Sequence, residues 1–270
     1  MAHYLVPVKP PPATPVPAAT LVLLRDRSPS GFEVLLIRRH GASKFAAGDF
    51  VFPGGKIEVS DGLDGGATAW CRGLDASRAA RALDLAAAPD AAIGHWVGVI
   101  RETFEEVGIL LAYAPDGRPA RVDDPRYAVH RRACQDDHRA FWAMLRAERL
   151  TLATDRLVYF AHWITPEAQP LRFDTRFFAG AMPPGQEAVA DEREITEVRW
   201  LAPREAIDAN TRGELPLRNP TVKNLELFDG APSAATALER LQGREVRTIL
   251  PRVIIEGGKR RVLMPGEPGY

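Results

Sequence analysis

Three glutamates in one short segment are the residues of this chain best suited to chemistry. Glu102, Glu105 and Glu106 lie in the stretch 101–109, which reads RETFEEVGI. On a helix, Glu102 and Glu106 are one turn apart and Glu105 lies at the i+3 position, so the three carboxylates share one face. Like charges at this spacing repel each other, and a hard cation such as Mg2+ or Mn2+ would relieve the repulsion because it prefers carboxylate oxygens. The segment predicts either a metal site or an acidic face exposed to solvent.

The opposite face of the same helix favours the metal site. Val97, Ile100, Phe104 and Val107 recur at spacings of three and four, which is the pattern of a helix that packs one side against a core. The helix therefore has a packed side and an acidic side. Gly108 follows directly and is predicted to end it.

A glycine-containing turn lies about fifty residues earlier, at Phe52-Pro53-Gly54-Gly55. Proline fixes φ, and paired glycines permit positive φ and a close approach of the backbone, so this turn can present backbone groups to a ligand. The loop before it carries four basic or titratable side chains: Arg38, Arg39, His40 and Lys44. A turn of this composition is structural as often as it is functional, and its neighbours give it significance.

Together these segments resemble the Nudix hydrolases, whose box is a glycine, five residues, a glutamate, seven residues and then REUxEExGU, with U a bulky aliphatic residue. The stretch 55–61 matches the first part, with Asp61 where glutamate is usual. The stretch 101–109 matches the second part, with Thr103 at the first aliphatic position. The spacer departs from the pattern, because 39 residues separate Asp61 from Arg101. Such an interruption resembles one Nudix subgroup, the peroxisomal coenzyme A diphosphatase-like proteins and their bacterial relatives.

A second signature, that of coenzyme A-directed Nudix proteins, indicates the same subgroup. It runs LLTxR, then Ser or Ala, three residues, Arg, three residues, Gly, three residues and FPGG, and the stretch 35–55 reproduces its spacing. Ile37, His40 and Lys44 stand where Thr, Ser or Ala, and Arg are usual. Lys44 keeps the positive charge but lacks the bidentate fork that suits phosphate. The change bears on substrate identity more than on catalysis.

The resemblance implies hydrolysis of a diphosphate linkage with the help of one or more divalent cations. Such ions neutralise phosphate charge and lower the pKa of the attacking water. By resemblance, Glu102 and Glu106 are metal ligands, Glu105 is the third, and the Gly55 carbonyl is a backbone ligand. Arg101 is expected to orient a glutamate through an ion pair.

The general base stays open between a box glutamate, with Glu102 favoured, and a carboxylate of a later acidic segment. The carboxylates of that segment are Glu187, Asp191, Glu192 and Glu194, with Glu192 and Glu194 retained as additional candidates. Each of them reads equally well as an ordinary solvated loop charge. The substrate-binding residues implied by the resemblance are Arg39, Lys44, Gly48, Phe52, Pro53 and Gly54. Arg172 and Arg176 offer further positive charge for a phosphate.

Three functions are compatible with these residues. The first is cleavage of coenzyme A or acyl-coenzyme A into 3′,5′-ADP and (acyl-)4′-phosphopantetheine. The second keeps this chemistry on ADP-ribose, a dinucleotide or NADH. The third is a non-catalytic nucleotide-binding regulator, against which the three intact glutamates argue.

The elements that must position these residues can be predicted from periodicity and turn signals. A strand hairpin is expected from 20–24 and 32–37, a helix capped by Asp90 through Val107, and a long helix from Asp124-Pro125 to about 147. Further strands are expected at 109–113, 157–164, 172–179 and 195–201, and a hairpin at 253–264. Strands with interspersed helices indicate an α/β (α+β) fold, and the resemblance specifies a Nudix-type α/β/α sandwich with a mixed sheet.

The expected organisation has four parts: a proline-rich arm (1–17), a Nudix domain (18–210), an insertion at about 62–90 within its box, and a C-terminal extension (211–270) packed on the same domain.

The chain has 270 residues, 46% of them hydrophobic, and 35 Lys plus Arg balance 35 Asp plus Glu. This balance argues against a nucleic-acid or anionic-membrane partner. Cys71 and Cys134 cannot form a disulfide framework, and no 18-residue apolar run occurs. We therefore expect a cytoplasmic protein. The resemblance implies a small-molecule diphosphate substrate, and a homodimer stays open.

Overall fold

The computed structural model describes residues 11–43, 46–63 and 66–270. Its strands are β1 (Val16–Asp26), β2 (Phe32–Arg39), β3 (Phe50–Val51), β4 (Gly54–Lys56), β5 (Ala112–Tyr113), β6 (Thr151–Leu152), β7 (Val158–Ile164), β8 (Phe173–Ala181), β9 (Ile195–Leu201), β10 (Thr248–Ile249), β11 (Arg252–Glu256) and β12 (Lys259–Leu263). Its α-helices are α1 (Val59–Leu63), α2 (Ala76–Leu83), α3 (Pro89–Val107), α4 (Pro125–Asp136), α5 (Ala140–Glu148), α6 (Pro203–Thr211), α7 (Asn219–Phe228) and α8 (Ala234–Leu241).

Strand β1 runs through the middle of a mixed sheet. It pairs in parallel with β8 along one side. On its other side it pairs antiparallel with β4 around Ala19 and, further along, with β2 around Arg25. Strand β2 pairs with β9 and, near its end, with β3, so the short β3–β4 segment fills the gap where β1 and β2 diverge. This arrangement places Gly54 and Gly55 inside the sheet, beside β1.

The side chains of β1 alternate between two apolar layers. Ala19, Leu21 and Leu23 belong to a first core cluster, which includes buried residues of α2, α3 and α5. Val22 and Leu24 belong to a second core cluster, which includes residues of α6, α7 and α8. Burial of each of these leucine side chains stabilises the fold by about 2 kcal/mol. Helices thus cover both faces, and the predicted α/β/α sandwich with a mixed sheet is confirmed.

The insertion and the C-terminal segment both pack on this sandwich. In the insertion, Ala79, Ala80 and Leu83 of α2 are buried in the first core cluster. In the C-terminal segment, α7 and α8 cover the second face, and β10 adds a parallel edge strand to β7. Strands β11 and β12 form a separate two-stranded hairpin, at the place where the sequence predicts one.

Local differences from the predicted elements have local causes. Helix α3 begins at Pro89, whose fixed φ suits the first helical position, so Asp90 lies in the first turn and is not the cap. The long helix predicted after Asp124 is split into α4 and α5, because Asp137 is extended and its carboxylate accepts the backbone N–H of Arg139. The strand predicted at 109–113 is limited to Ala112–Tyr113.

Gly98 explains how the insertion begins so close to α3. A Cβ at this position would lie 2.7 Å from both the Asp61 Oδ2 and Ile57 Cδ1 atoms. A glycine in a helix interior costs about 1 kcal/mol relative to alanine. Because Gly98 has no side chain, α1 can pack against α3, and this packing brings Asp61 next to the helix that carries the three glutamates.

Burial of His95 on α3 predicts a pH-dependent stability. Burial, with a smaller contribution from the charge of Arg176, lowers the pKa of His95 to about 4 from 6.5. The unfolded chain therefore takes up this proton at a higher pH than the folded one, and acidification from pH 7 to pH 5 should reduce the free energy of unfolding by about 1–2 kcal/mol through this group. Urea unfolding of the wild type and of His95→Gln at both pH values measures it. Equal losses on acidification in the two proteins would contradict the expectation.

Within the described ranges, no helix is long and apolar enough to cross a membrane.

Candidate active site

The acidic side of α3 is enclosed by the protein. The side chains of Glu102, Glu105 and Glu106 are only 17%, 14% and 5% exposed. On the opposite side, Phe104 and Val107 are buried in the first core cluster, and α3 ends at Gly108 with φ 74°, as predicted. The alternative of an acidic face exposed to solvent is therefore wrong.

Arg101 lies at the centre of these carboxylates. Its Nε and Nη2 donate to the two oxygens of Asp61 at 2.8 and 3.0 Å. Its Nη1 donates to Glu102 and Glu105, both at 3.0 Å, and Nη2 also donates to the Lys56 carbonyl. The ion pair expected of Arg101 is thus present with three carboxylates at once. The two halves of the interrupted box meet through this one buried guanidinium.

One arginine does not compensate for this much buried negative charge. Burial raises the pKa of Glu105 to about 8, and the charges of Glu102 and Asp61 add to the rise while Arg101 opposes it. Burial likewise raises the pKa of Glu102, and it raises that of Glu106 well above the usual value. The site therefore favours a bound cation, which would remove the repulsion among the charged forms.

The Gly54-Gly55 turn packs directly against the carboxylates. The Gly54 N–H donates to the Glu106 Oε2 at 2.8 Å, which fixes one oxygen of that side chain. A Cβ at Gly55 would lie 2.5 Å from the Glu102 carboxyl carbon, and a Cβ at Gly54 would lie 2.3 Å from the Ala19 carbonyl oxygen. Only glycine fits at these two positions, because any side chain would displace a glutamate or the neighbouring strand.

The donor set fits a hard divalent cation. Glu105 Oε1 is buried and has no hydrogen-bond partner, so it is an unsatisfied oxygen of the kind that such an ion prefers. With Arg101 bound to Glu102 and Glu105, the described residues contain no group of three His, Cys, Asp or Glu side chains already arranged around one point. A cation would therefore compete with Arg101 for the oxygens of these two glutamates.

Besides the backbone of Gly54, the side chain of Arg39 reaches the glutamates from the predicted substrate-binding set. Its Nη1 lies 3.9 Å from the Glu106 Oε1, its side chain is 22% exposed, and its buried Nε has no hydrogen-bond partner. The Gly48 N–H donates to the Arg39 carbonyl and closes the loop between them. Lys44 lies outside the described residues.

The other predicted substrate-binding residues have mainly structural contacts. Phe52 packs in the second core cluster, and the Pro53 carbonyl accepts the Leu21 N–H. Arg172 is buried and donates to the carbonyls of Thr165 and Ala13. Arg176 is also buried, with its guanidinium bonded to Asp174. In these conformations, Arg172 and Arg176 serve internal contacts, and the basic charge beside the glutamates comes from Arg39 and Arg101.

The four loop carboxylates are not equivalent. Burial is the main cause of the raised pKa of Glu102 and of Glu106, and the charge of Glu194 adds a smaller contribution to both. Asp191 Oδ1 accepts three backbone N–H groups and shapes the turn before β9. Glu192 has φ 62° within the same turn. Glu187 lines a separate groove of about 560 Å³ next to Met182.

Sequence reasoning overlooked a second set of residues around the end of α3. Arg131 and Gln135 of α4 donate to the carbonyls of Glu105 and Glu106. Their spacing of four places them on one face of the predicted helix, but nothing local in the sequence indicates which helix end they contact.

Comparison with known proteins shows one matching family and three similar proteins. The family described as the NUDT19 Nudix domain matches residues 11–227. The acyl-coenzyme A diphosphatase NUDT19 of Gallus gallus is 29% identical over 241 residues, which cover 73% of this chain and 61% of that protein. The NUDIX hydrolase of Alicyclobacillus acidocaldarius has a crystal structure that superposes with a TM-score of 0.66 at 28% identity, covering 84% of this chain and 96% of that one. Putative nudix hydrolase 7 of Caenorhabditis elegans is 26% identical and is covered to 54%, so the chain spans less than two thirds of these curated relatives.

Proposed function

Because the chain belongs to the NUDT19 Nudix domain family, we propose that it hydrolyses a diphosphate linkage with the help of Mg2+ or Mn2+, most specifically that of coenzyme A or acyl-coenzyme A. The observation that carries the proposal is the enclosed set of three glutamates, with Arg101 among them and Gly55 against them. A protein that only bound a nucleotide would gain nothing from burying three carboxylates with raised pKa values.

Glu102, Glu105 and Glu106 would hold the metal, with the Gly55 carbonyl as a further ligand. When bound, the cation neutralises the diphosphate and makes the attacking water more acidic. Arg101 then acts as a positioning residue, because its contacts to Asp61, Glu102 and Glu105 set the directions of the carboxylates. The reaction places the water oxygen on one phosphorus, breaks the bridging P–O bond, and transfers one water proton to a base.

For that base we propose Glu194, with Glu102 as the alternative. Glu194 lies directly before β9, and its carbonyl accepts the His40 N–H, so its backbone is fixed next to the residue that follows Arg39. The turn before Glu194 is held against α3, because the Val189 N–H donates to the Val107 carbonyl and Asp191 accepts the Glu194 N–H, and this supports a position near the same site. Glu192 is a less favoured candidate for the general base.

The substrate assignment has its own support. Arg39 belongs to the coenzyme A-type signature, its Nη1 lies 3.9 Å from the Glu106 Oε1, and its buried Nε has no hydrogen-bond partner, so it is a donor suited to a phosphate oxygen. The name of the Gallus gallus relative, acyl-coenzyme A diphosphatase, agrees with it. ADP-ribose, a dinucleotide and NADH are the competing substrates. The cytoplasmic location and the homodimer stay predictions, for cell fractionation and sedimentation to test.

A substrate panel with mass-spectrometric product identification tests the proposal. We expect purified protein with Mg2+ or Mn2+ to convert acyl-coenzyme A into 3′,5′-ADP and acyl-4′-phosphopantetheine, and a chelator to abolish the reaction. Coenzyme A, ADP-ribose, a diadenosine polyphosphate and NADH complete the panel. Turnover of another diphosphate with coenzyme A and acyl-coenzyme A left intact would refute the substrate assignment. Metal-independent turnover would refute the role of the glutamates.

A further inference from the structure

One arginine of α4 connects two segments that the proposed reaction needs. The Arg131 Nε donates to the Glu105 carbonyl at 3.0 Å, and its Nη2 donates to the Glu106 carbonyl at 2.7 Å. The same Nη2 donates to the Val189 carbonyl at 2.9 Å. The last carbonyls of a helix have no partner within the helix, so a guanidinium here satisfies them and interacts favourably with the helix dipole.

The box glycine makes room for this contact. A Cβ at Gly108 would lie 3.2 Å from the Arg131 Nη1 and 3.6 Å from its Cζ. The left-handed φ of 74° at Gly108 also turns the chain away at the end of α3. Arg131 therefore lies across the end of the helix that carries the metal-ligand glutamates.

On the loop side, the contact is close to the proposed base. Val189 is tied back to α3, because its N–H donates to the Val107 carbonyl at 2.9 Å. Two residues later, Asp191 accepts the N–H groups of Glu194 and Ile195 at 3.1 and 2.8 Å. The segment 189–194 is thus one hydrogen-bonded turn. Arg131 holds its first residue, and its last residue leads directly into β9.

Helix α4 makes two more contacts here, one to the end of α3 and one to this turn. Gln135 donates to the Glu105 carbonyl at 2.8 Å. Arg193 of the turn donates to Asp136 at 3.0 Å, although both side chains are exposed and such a pair contributes little. Arg131 is the one of these side chains that contacts both α3 and the loop.

We propose that Arg131 is a positioning residue of the diphosphate-hydrolysis site: its guanidinium sets the distance between the glutamates of α3 and Glu194 by holding the segment 189–194 against the end of that helix. This inference rests on the proposed function for its catalytic readout. It assigns to α4, which contributes no carboxylate to the site, the task of assembling it.

Arg131→Met keeps an unbranched apolar stem and removes all three hydrogen bonds. A displacement of about 1 Å in a reacting group costs up to about a hundredfold in rate, so we expect kcat to fall about 10- to 100-fold with KM changed less than threefold. Arg131→Lys should lie between this variant and the wild type, because one ammonium cannot span the three carbonyls. The matched control is Arg132→Met, which removes an exposed arginine that pairs with Asp136 on the same helix.

A double-mutant cycle with Glu194→Gln separates positioning from general destabilisation. If Arg131 acts through Glu194, the kcat of the double variant should be no lower than that of Glu194→Gln alone. Amide hydrogen exchange of residues 186–194, measured without substrate, should be faster in Arg131→Met than in Arg132→Met. Each of three results would overturn the proposal. The fold-losses in kcat of the two single variants could multiply in the double variant, or Glu194→Gln could keep the kcat of the wild type. The third such result is an equal rate of amide exchange in the two methionine variants.

The failure of the proposed function would look different. It would appear in the wild type, as a protein that leaves every diphosphate of the panel intact. Failure of the positioning would appear only in the variants of a wild type that is active on some diphosphate, whichever member of the panel that is.

Discussion

Glu106→Gln is expected to reduce kcat about a thousandfold, which corresponds to about 4 kcal/mol of lost transition-state stabilisation. Glutamine keeps the shape of the side chain and an oxygen that can accept the Gly54 N–H, so the turn at Gly54 should stay in place. It removes the negative charge through which Glu106 would bind the cation. Steady-state kinetics with saturating Mg2+ or Mn2+ measures the loss.

Stability measurements distinguish this loss from misfolding. Burial raises the pKa of Glu106 well above its usual value, so the charged form is unfavourable in the metal-free protein. Without metal, the glutamine variant should therefore be at least as stable as the wild type, while the rise in Tm on adding Mn2+ should be smaller. Glu226→Gln, which alters an exposed ion pair of α7, should change neither quantity. Full turnover by Glu106→Gln would refute the metal-ligand assignment.

Arg101→Met is expected to have the largest effect on folding, a loss of about 3–5 kcal/mol in the free energy of unfolding. The change leaves Asp61 buried without its bidentate partner and removes the positively charged guanidinium that lies between Glu102 and Glu105. Because a domain of this kind has only about 5–15 kcal/mol of stability, the variant should unfold at a much lower urea concentration.

The control for this variant is the same substitution at a surface arginine. Arg247→Met breaks an exposed pair with Glu245, and we expect it to unfold at nearly the same urea concentration as the wild type. Arg101→Lys keeps the charge without the fork, so it should recover only part of the lost stability. If Arg101→Met and Arg247→Met unfolded at the same urea concentration, the two halves of the interrupted box would not depend on their shared guanidinium.

The sequence alone was sufficient where the physical cause is local. The apolar and acidic faces of α3 follow from the 3.6-residue period, and its end at Gly108 follows from the left-handed conformation that glycine permits. The hairpin of β1 and β2 follows from β-prone runs around a turn. The family resemblance followed from the coenzyme A-type signature and from the two halves of the box, each of which keeps its internal spacing on its own side of the interruption.

What only the tertiary structure decided depends on contacts between distant segments. Asp61 and Arg101 are separated by the whole insertion, and they meet because Gly98 lets α1 approach α3. The sequence shows three glutamates on one face, but their burial comes from the pairing of β4 with β1, which brings Gly55 against Glu102. Arg131 reaches the end of α3 only because α4 folds back onto it. Periodicity shows which residues share one face of a helix or strand. Whether those residues are buried or ion-paired depends on the other element that packs against that face.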